Sequence, residues 1–225
     1  MTPRMLRPVA ALALALVLAA CGSEQQTVNP LNALKAIPQV LSGQRPAPPQ
    51  VSAEQVAAAL RGTNGPLLLV QQEQSGAQVL FTQIERNGPY ATYGNAARQA
   101  VVLRKGLITS SRGLGGDLMS TQSDWLLARV SARQPARRVP YILRFLTPED
   151  ETRVITVLCD LTLGQSIEVK GGTLNTRGTA VNASCAGSGV SFSDTYVVGA
   201  NGTILSSRQW LGPTLGHVAT QALRL

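Results

Sequence analysis

Histidine is almost absent from this chain: 225 residues contain one, His217, together with three cysteines and only 4% aromatic residues. No G-x-S-x-G elbow accompanies His217, so no nucleophile motif is there for it to activate, and a histidine-based hydrolase that uses it is the lesser alternative. Clustered His, Cys, Asp or Glu at metal-ligand spacing is also missing, so no metal, no cofactor and no catalytic residue is expected. The stretch GLGGDLMSTQSDW, residues 113 to 125, lacks the third glycine of a dinucleotide loop, because Leu118 stands in its place. It also lacks the Gly-Lys-Ser/Thr of a phosphate loop, with Met119 and Ser120 where those residues would fall. No helical pattern is long enough for repeated βαβ units, which excludes a parallel α/β sheet.

Long apolar runs are scarce as well. The longest, Val9 to Ala20, has twelve residues behind the basic Arg4 and Arg7. As a helix it spans about 18 Å, short of the roughly 20 residues that cross a bilayer, and it reads as a secretory signal over residues 1–20. Leu18-Ala19-Ala20-Cys21 resembles the bacterial lipobox, in which the thiol of the cysteine, here Cys21, takes a diacylglyceryl group. An ordinary A-x-A cleavage site beside a chance cysteine is the alternative. Lipidation makes Cys21 the acylated first residue of the mature chain, stably anchored by two or three acyl chains. Gly22 follows where an inner-membrane retention aspartate would stand, which predicts the outer membrane.

The two remaining cysteines, Cys159 and Cys185, form an even pair in an oxidising compartment. Each shares an apolar strand parity, with Ile155 and Val157 in one case and Val181 and Ala183 in the other. A disulfide is predicted; two buried free thiols are the alternative. Formal charge is +8, and removal of Arg4 and Arg7 leaves 18 basic against 12 acidic residues, a net +6. Outside the cytoplasm this points away from nucleic acid and towards lipopolysaccharide phosphates, anionic polysaccharide or an acidic protein surface.

Residues 21–50 read as a lipidated tether, with five prolines and PAPP at 46 to 49. SAEQVAAALRG follows, with Ser52 and Gln55 in a capping-box pattern and Gly62 as the C-terminal stop, predicting one short N-terminal helix. From Pro66 the chain is a series of β-branched segments: PLLLVQQ, AQVLFTQIE, QAVVLRKG, PYILRFL, RVITVLCDL, QSIEVKG, TAVNASC and TILSSRQW. Hairpin signals recur at Asn64-Gly65, Ser75-Gly76, Asn87-Gly88, Lys105-Gly106 and Asn201-Gly202. The expected domain, residues 51–225, is mainly β, an antiparallel meander forming a barrel-like or curved two-sheet structure.

Contact residues for a partner or glycan are sought among Trp125, Arg133, Arg137, Arg138 and Trp210. The arginines belong to ARVSARQPARR, the densest positive stretch, which either binds sulfate, phosphate or uronate or forms a solvated loop rim. Each tryptophan either stacks on a sugar or packs in the core. Glu149-Asp150-Glu151 after Pro148 reads as a solvated turn or helix start.

Two stretches carry a resemblance. Gly113-Leu114 with Asp117-Leu118 and Ser123, then Gln209-Trp210 with Gly212-Pro213 and Gly216 in YVVGANGTILSSRQWLGPTLGHV, resemble the YjbF and GfcB family of outer-membrane lipoproteins. The resemblance extends over about residues 64 to 224. It implies a non-enzymatic, periplasm-facing lipoprotein that assists capsule or exopolysaccharide export beside a β-barrel protein and a soluble periplasmic protein, and it transfers no active-site residues. GLGGDLMSTQSDW is then a structural turn and a candidate partner surface. Two other classes share the anchor: a lipid carrier, which needs an apolar barrel cavity, and a periplasmic hydrolase, which needs a nucleophile beside His217 or converging carboxylates.

Overall fold

The computed structural model describes residues 47–147 and 151–225. The signal segment, Cys21 and residues 21–46 of the tether lie outside the described residues, as do residues 148–150 of the acidic run. From Pro48 onward the chain forms one compact unit.

Helix α1, Ala53–Gly62, begins as its sequence dictates: Ser52 Oγ accepts from the Gln55 amide while the Gln55 side chain accepts from the Ser52 amide. Its end differs from the expectation, since Gly62 is the last helical residue and Thr63, in extended conformation, caps the helix. The terminal carbonyls are instead gathered by Arg224, whose guanidinium donates to the oxygens of Leu60 and Thr63. A cation there satisfies orphan acceptors and the helix dipole together.

Twelve strands follow in one sheet: β1 Leu67–Gln72, β2 Gln78–Asn87, β3 Tyr90–Gly94, β4 Ala100–Arg104, β5 Leu107–Arg112, β6 Leu118–Gln122, β7 Ala136–Leu146, β8 Thr152–Gly171, β9 Leu174–Gly187, β10 Val190–Val198, β11 Ile204–Trp210 and β12 His217–Arg224. The order is β5-β4-β3-β2-β1-β12-β11-β10-β9-β8-β7-β6, antiparallel at every ladder, with β1 paired to β12 from Leu67↔Arg224 to Gln72↔Val218. The two edge strands, β5 and β6, are joined by residues 113–117, and the sheet curls into a nearly closed barrel. Inward positions such as Val70, Phe81, Val101, Tyr141, Val157 and Tyr196 form one continuous core. Their alternation with exposed residues is the period-2 pattern of strands packed on one face.

Three expectations need correction. A second helix, α2 Asp124–Ser131, connects β6 to β7, so ARVSARQPARR is no continuous loop: its first four residues are helical and Val130 is fully buried. Eight residues with Leu126, Leu127 and Val130 on the buried side give too short a periodic signal, and Ser123 makes no side-chain cap bond to announce it. Asn64-Gly65 joins α1 to β1 instead of turning a hairpin. The segments RVITVLCDL and QSIEVKG are one strand, β8, bent at a bulge between Leu163 and Ser166 so that its far half folds back on the outside of β10 to β12. There Val169 packs on Val197 and Leu205, and the Thr173 amide donates to the Leu223 carbonyl at 2.7 Å.

Cys159 and Cys185 face each other across β8 and β9 and are bridged. The bond joins residues 26 apart in sequence, for which chain-entropy reasoning gives about 3 to 4 kcal/mol of stabilisation. We expect Cys159→Ala/Cys185→Ala to unfold at lower urea with a loss of about that size. An unchanged midpoint, or full alkylation of both thiols in unreduced denatured protein, would contradict the bridge.

Candidate functional site

In an up-and-down meander, connections alternate between two ends. The β1–β2, β3–β4, β5–β6, β7–β8, β9–β10 and β11–β12 connections lie at one end. The β2–β3, β4–β5 and β10–β11 turns lie at the other with α2.

At the first end the two quoted stretches meet. The Asp117 carboxylate accepts from the amides of Gly113 (2.7 Å) and Leu114 (3.1 Å) and from Ser111 Oγ (3.2 Å), while Ser111 Oγ accepts from the Leu118 amide. Side chains thereby join β5 to β6 where no backbone ladder does. Gly212 has φ 110° and lies against the Phe145 ring, where an added Cβ would come within 2.6 Å of the ring. Gln209 is buried, accepting from the Ile108 amide of β5 at 3.0 Å and donating to Ser207 Oγ at 2.7 Å. Leu114, Leu211 and Leu215 complete this seal from inside the core.

A polar cluster lies beneath it. Asp194 is 1% exposed, accepts from the Trp210 amide at 2.8 Å and from the Tyr196 hydroxyl at 3.1 Å, and is pushed up to about 7 by burial. Burial also raises Tyr141 and Tyr196, whose ionisation the nearby carboxylate opposes further. His217 Nε2 lies 3.0 Å from the Ser193 carbonyl and 3.8 Å from Asp194 Oδ1. A carbonyl can only accept, so the ring carries its proton on Nε2. Burial and the Arg208 guanidinium lower its proton affinity, and Arg208 itself is held by Glu73 through two bonds of 2.6 and 2.8 Å. A neutral imidazole with Nε2–H directed at a backbone carbonyl is placed as a structural donor. Trp210 stacks on Phe192 at 4.5 Å between centroids.

The second end is open. A cleft of about 610 Å³ lies between α2 and the three turns, lined among others by Pro89, Arg104, Lys105, Asp124, Ser131 and Asn201. An adjoining cavity of about 370 Å³, lined by Leu68, Tyr93, Leu103, Ile204 and Ala222, shares Pro89, Lys105 and Asn201 with it. Trp125, 66% exposed on the first turn of α2, stands here in solvent rather than in the core. Arg133 follows α2 and donates to the Gly199 carbonyl at 2.7 Å, and Arg137 and Arg138 begin β7, both exposed, with the Arg138 amide bonded to Asp160. Four of the five sequence-predicted contact residues therefore share this end, and Trp210 lies at the other. The sequence reading missed Arg104 and Tyr90 and saw Lys105 and Asn201 only as turn residues. The recurrence of turn signals was the one available hint that they lie together. Among the described residues no group of His, Cys, Asp or Glu is arranged to hold a metal ion.

Comparison with known proteins decides the family. The profile described as "Group 4 capsule polysaccharide lipoprotein gfcB, YjbF" matches residues 34–223. The chain belongs to the YjbF family. The hypothetical lipoprotein YmcC from Escherichia coli (K12) has the same fold: its crystal structure matches with a TM-score of 0.66 over 91% of this chain and 98% of that one, at 15% identity. Among curated proteins, none matches.

The Asp194 geometry has a measurable consequence. Its proton affinity rises from an ordinary 3.8 in the unfolded chain to about 7 in the fold, so the native state binds more protons between those values. Its contribution to stability is fully present below the lower value and is lost as pH rises through the upper one. We expect the wild-type protein to lose urea resistance between about pH 5 and about pH 8, and Asp194→Asn, which keeps an acceptor for Trp210, to lose much less. Equal losses in both proteins would assign the pH dependence to other groups.

Proposed function

We propose that this chain is a non-enzymatic outer-membrane lipoprotein, anchored through Cys21 and facing the periplasm, that assists export or assembly of a capsular or extracellular polysaccharide. Membership of a capsule polysaccharide lipoprotein family over residues 34–223 carries this reading. The arrangement of the shared motifs supports it: Asp117, Gln209 and Gly212 make the hydrogen bonds and close packing that shut the barrel, and the hollow beside Asp117 measures only about 130 Å³. His217, the only histidine, donates its Nε2–H to the Ser193 main-chain carbonyl, and among the described residues its other close polar neighbour is the Asp194 carboxylate, not a nucleophile.

The working partners in this reading are a polysaccharide-export β-barrel protein, a soluble periplasmic protein and anionic polymer, for which the net +6 of the mature chain supplies attraction. A lipid-carrier role is favoured by one observation, the apolar cavity of about 370 Å³. That cavity occupies one end only, since the rest of the interior is a continuous packed core.

Deletion of the gene should reduce surface polysaccharide, read by antibody or dye, and His217→Ala should restore it as well as the wild type does. A stable but inactive His217→Ala protein, with a wild-type domain that depolymerises the polymer, would establish a hydrolase instead. Cys21→Ser should abolish palmitate labelling and membrane fractionation; continued labelling would remove the anchor. A deletion that leaves the polymer unchanged under inducing conditions would remove the export role.

A further inference from the structure

The open cleft has walls from four parts of the chain, and each is held in place. Arg104 of β4 forms an ion pair with Asp124 of α2 and lies 5.8 Å from the Tyr90 ring centroid, so β3, β4 and α2 are connected across one side. The β4–β5 turn is fixed to β11 by the Ile204 amide, which donates to the Lys105 carbonyl at 2.9 Å. The β10–β11 turn is held by the Arg133 bond to Gly199, and it comes so close to α2 that a Cβ on Gly202, at φ 79°, would lie 3.0 Å from the Ser131 carbonyl. A cleft whose walls are bonded to one another in the free protein loses little entropy when it binds.

Its chemistry is selective. Arg104 and Lys105 line it with one carboxylate, Asp124; Arg104 is paired with that carboxylate, so Lys105 leaves the lining with a net positive charge. The side-chain oxygen of Ser131, which lines the cleft, is buried without a hydrogen-bond partner. On α2, Asp124, Leu127, Ala128 and Ser131 line the cleft, and at about 100° per residue Trp125 falls beside Ala132 at the edge of that face, away from the buried Leu126 and Val130. An indole 66% exposed next to a polar cleft presents a flat apolar face at no further cost in desolvating a core.

We infer that this cleft binds a segment of acidic polysaccharide, with a sugar face on Trp125 and its carboxylate on Lys105. Flat aromatic faces match the C–H surface of a pyranose, while fixed polar groups and cations match hydroxyls and a uronate. The volume lies in the range of ligand sites, and its lining is as polar as a saccharide requires, in contrast to the adjoining apolar cavity. This inference rests on the polysaccharide reading above and gives it a place on the molecule.

The test uses the purified mature chain and two probes, trigalacturonate and neutral maltotriose, followed by tryptophan fluorescence and by titration calorimetry. Trigalacturonate is expected to bind saturably, to change Trp125 emission and to weaken with rising salt, with maltotriose at least about tenfold weaker. Trp125→Ala and Lys105→Ala should each weaken trigalacturonate by about tenfold with unfolding midpoints unchanged, while Arg138→Ala on β7 should bind as wild type does. Binding undiminished in both cleft variants, or absent altogether, overturns the site. Saturable binding of phosphatidylglycerol micelles that Lys105→Ala abolishes, with no saccharide binding, overturns it in favour of a lipid. In cells, a Trp125→Ala/Lys105→Ala protein that fully restores surface polymer to a deletion strain overturns the cleft alone and leaves the export role standing. A deletion without any polymer phenotype instead removes the export role, whatever the saccharide titration shows.

Discussion

A β-sheet has two edges, and here both belong to strands that are consecutive in the chain. β5 and β6 end the order of twelve strands, and the connection between them is only residues 113–117. An unpaired edge exposes amides and carbonyls that invite pairing with other chains. The protein answers with Asp117: one carboxylate gathers the amides of Gly113 and Leu114 and the Ser111 hydroxyl, and that hydroxyl in turn takes the Leu118 amide. Closure by a side chain tolerates a seam too splayed for a ladder. Gln209 supports it from across the barrel by accepting the Ile108 amide, beside the register shift in the β4–β5 ladder. A carboxylate and an amide side chain thus perform what backbone pairing performs elsewhere.

With the seam held, the rest of the interior can be apolar apart from a few satisfied groups. The Ser207 and Thr220 hydroxyls are hydrogen-bonded to each other at 2.7 Å, Gln209 donates to the same serine, and Asp194 has both oxygens occupied. Each such group is affordable only because its partners are also buried. Asp194 is the exception in kind, being ionisable. Its two donors favour the charged form and its burial opposes it, and burial wins, which places its titration near neutrality. The pH dependence expected of the fold would then be a by-product of joining β10 to the Trp210 amide where the regular β10–β11 ladder has ended.

Seven of the twelve strands, four of the five hairpin signals and the disulfide were legible in the sequence, because alternation and turn residues are patterns of neighbours in the chain. Alternating apolar residues set Cys159 and Cys185 on inward parities, and β8 and β9 then put them opposite one another. Ser52 and Gln55 announced α1 for the same local reason. The second helix was not legible, since eight residues without a side-chain cap bond carry little signal, and its stability comes from inserting Leu126, Leu127 and Val130 into a core built by distant strands. The bend of β8 escaped too, because the surface that receives it, Val197, Leu205 and Leu223, lies far ahead in the chain. For the cleft, Trp125 and Arg133 were visible as residue types. Their meeting with Lys105 and Asn201 depends on which turns share an end of the barrel, and no local pattern encodes that.

The same alternation of ends relates the cleft to the N-terminal part of the domain. The Pro49 carbonyl accepts from the Gln78 amide at 2.8 Å, and the Gln50 side chain donates to the Gly76 carbonyl, so the chain joins the domain beside the β1–β2 turn, at the sealed end. It then runs as α1 along the outside, where Arg224 fastens the carbonyl end of that helix, and enters β1 at the open end. Pro48 to Gln50 therefore meet the domain at its sealed end, and the cleft with Lys105 and the neighbouring Trp125 opens at the opposite one. Polar turns and a short amphipathic helix stand at the open end, where they leave the cleft of about 610 Å³ between them. The glycine-rich motifs serve at the sealed end, because close packing there keeps the barrel shut.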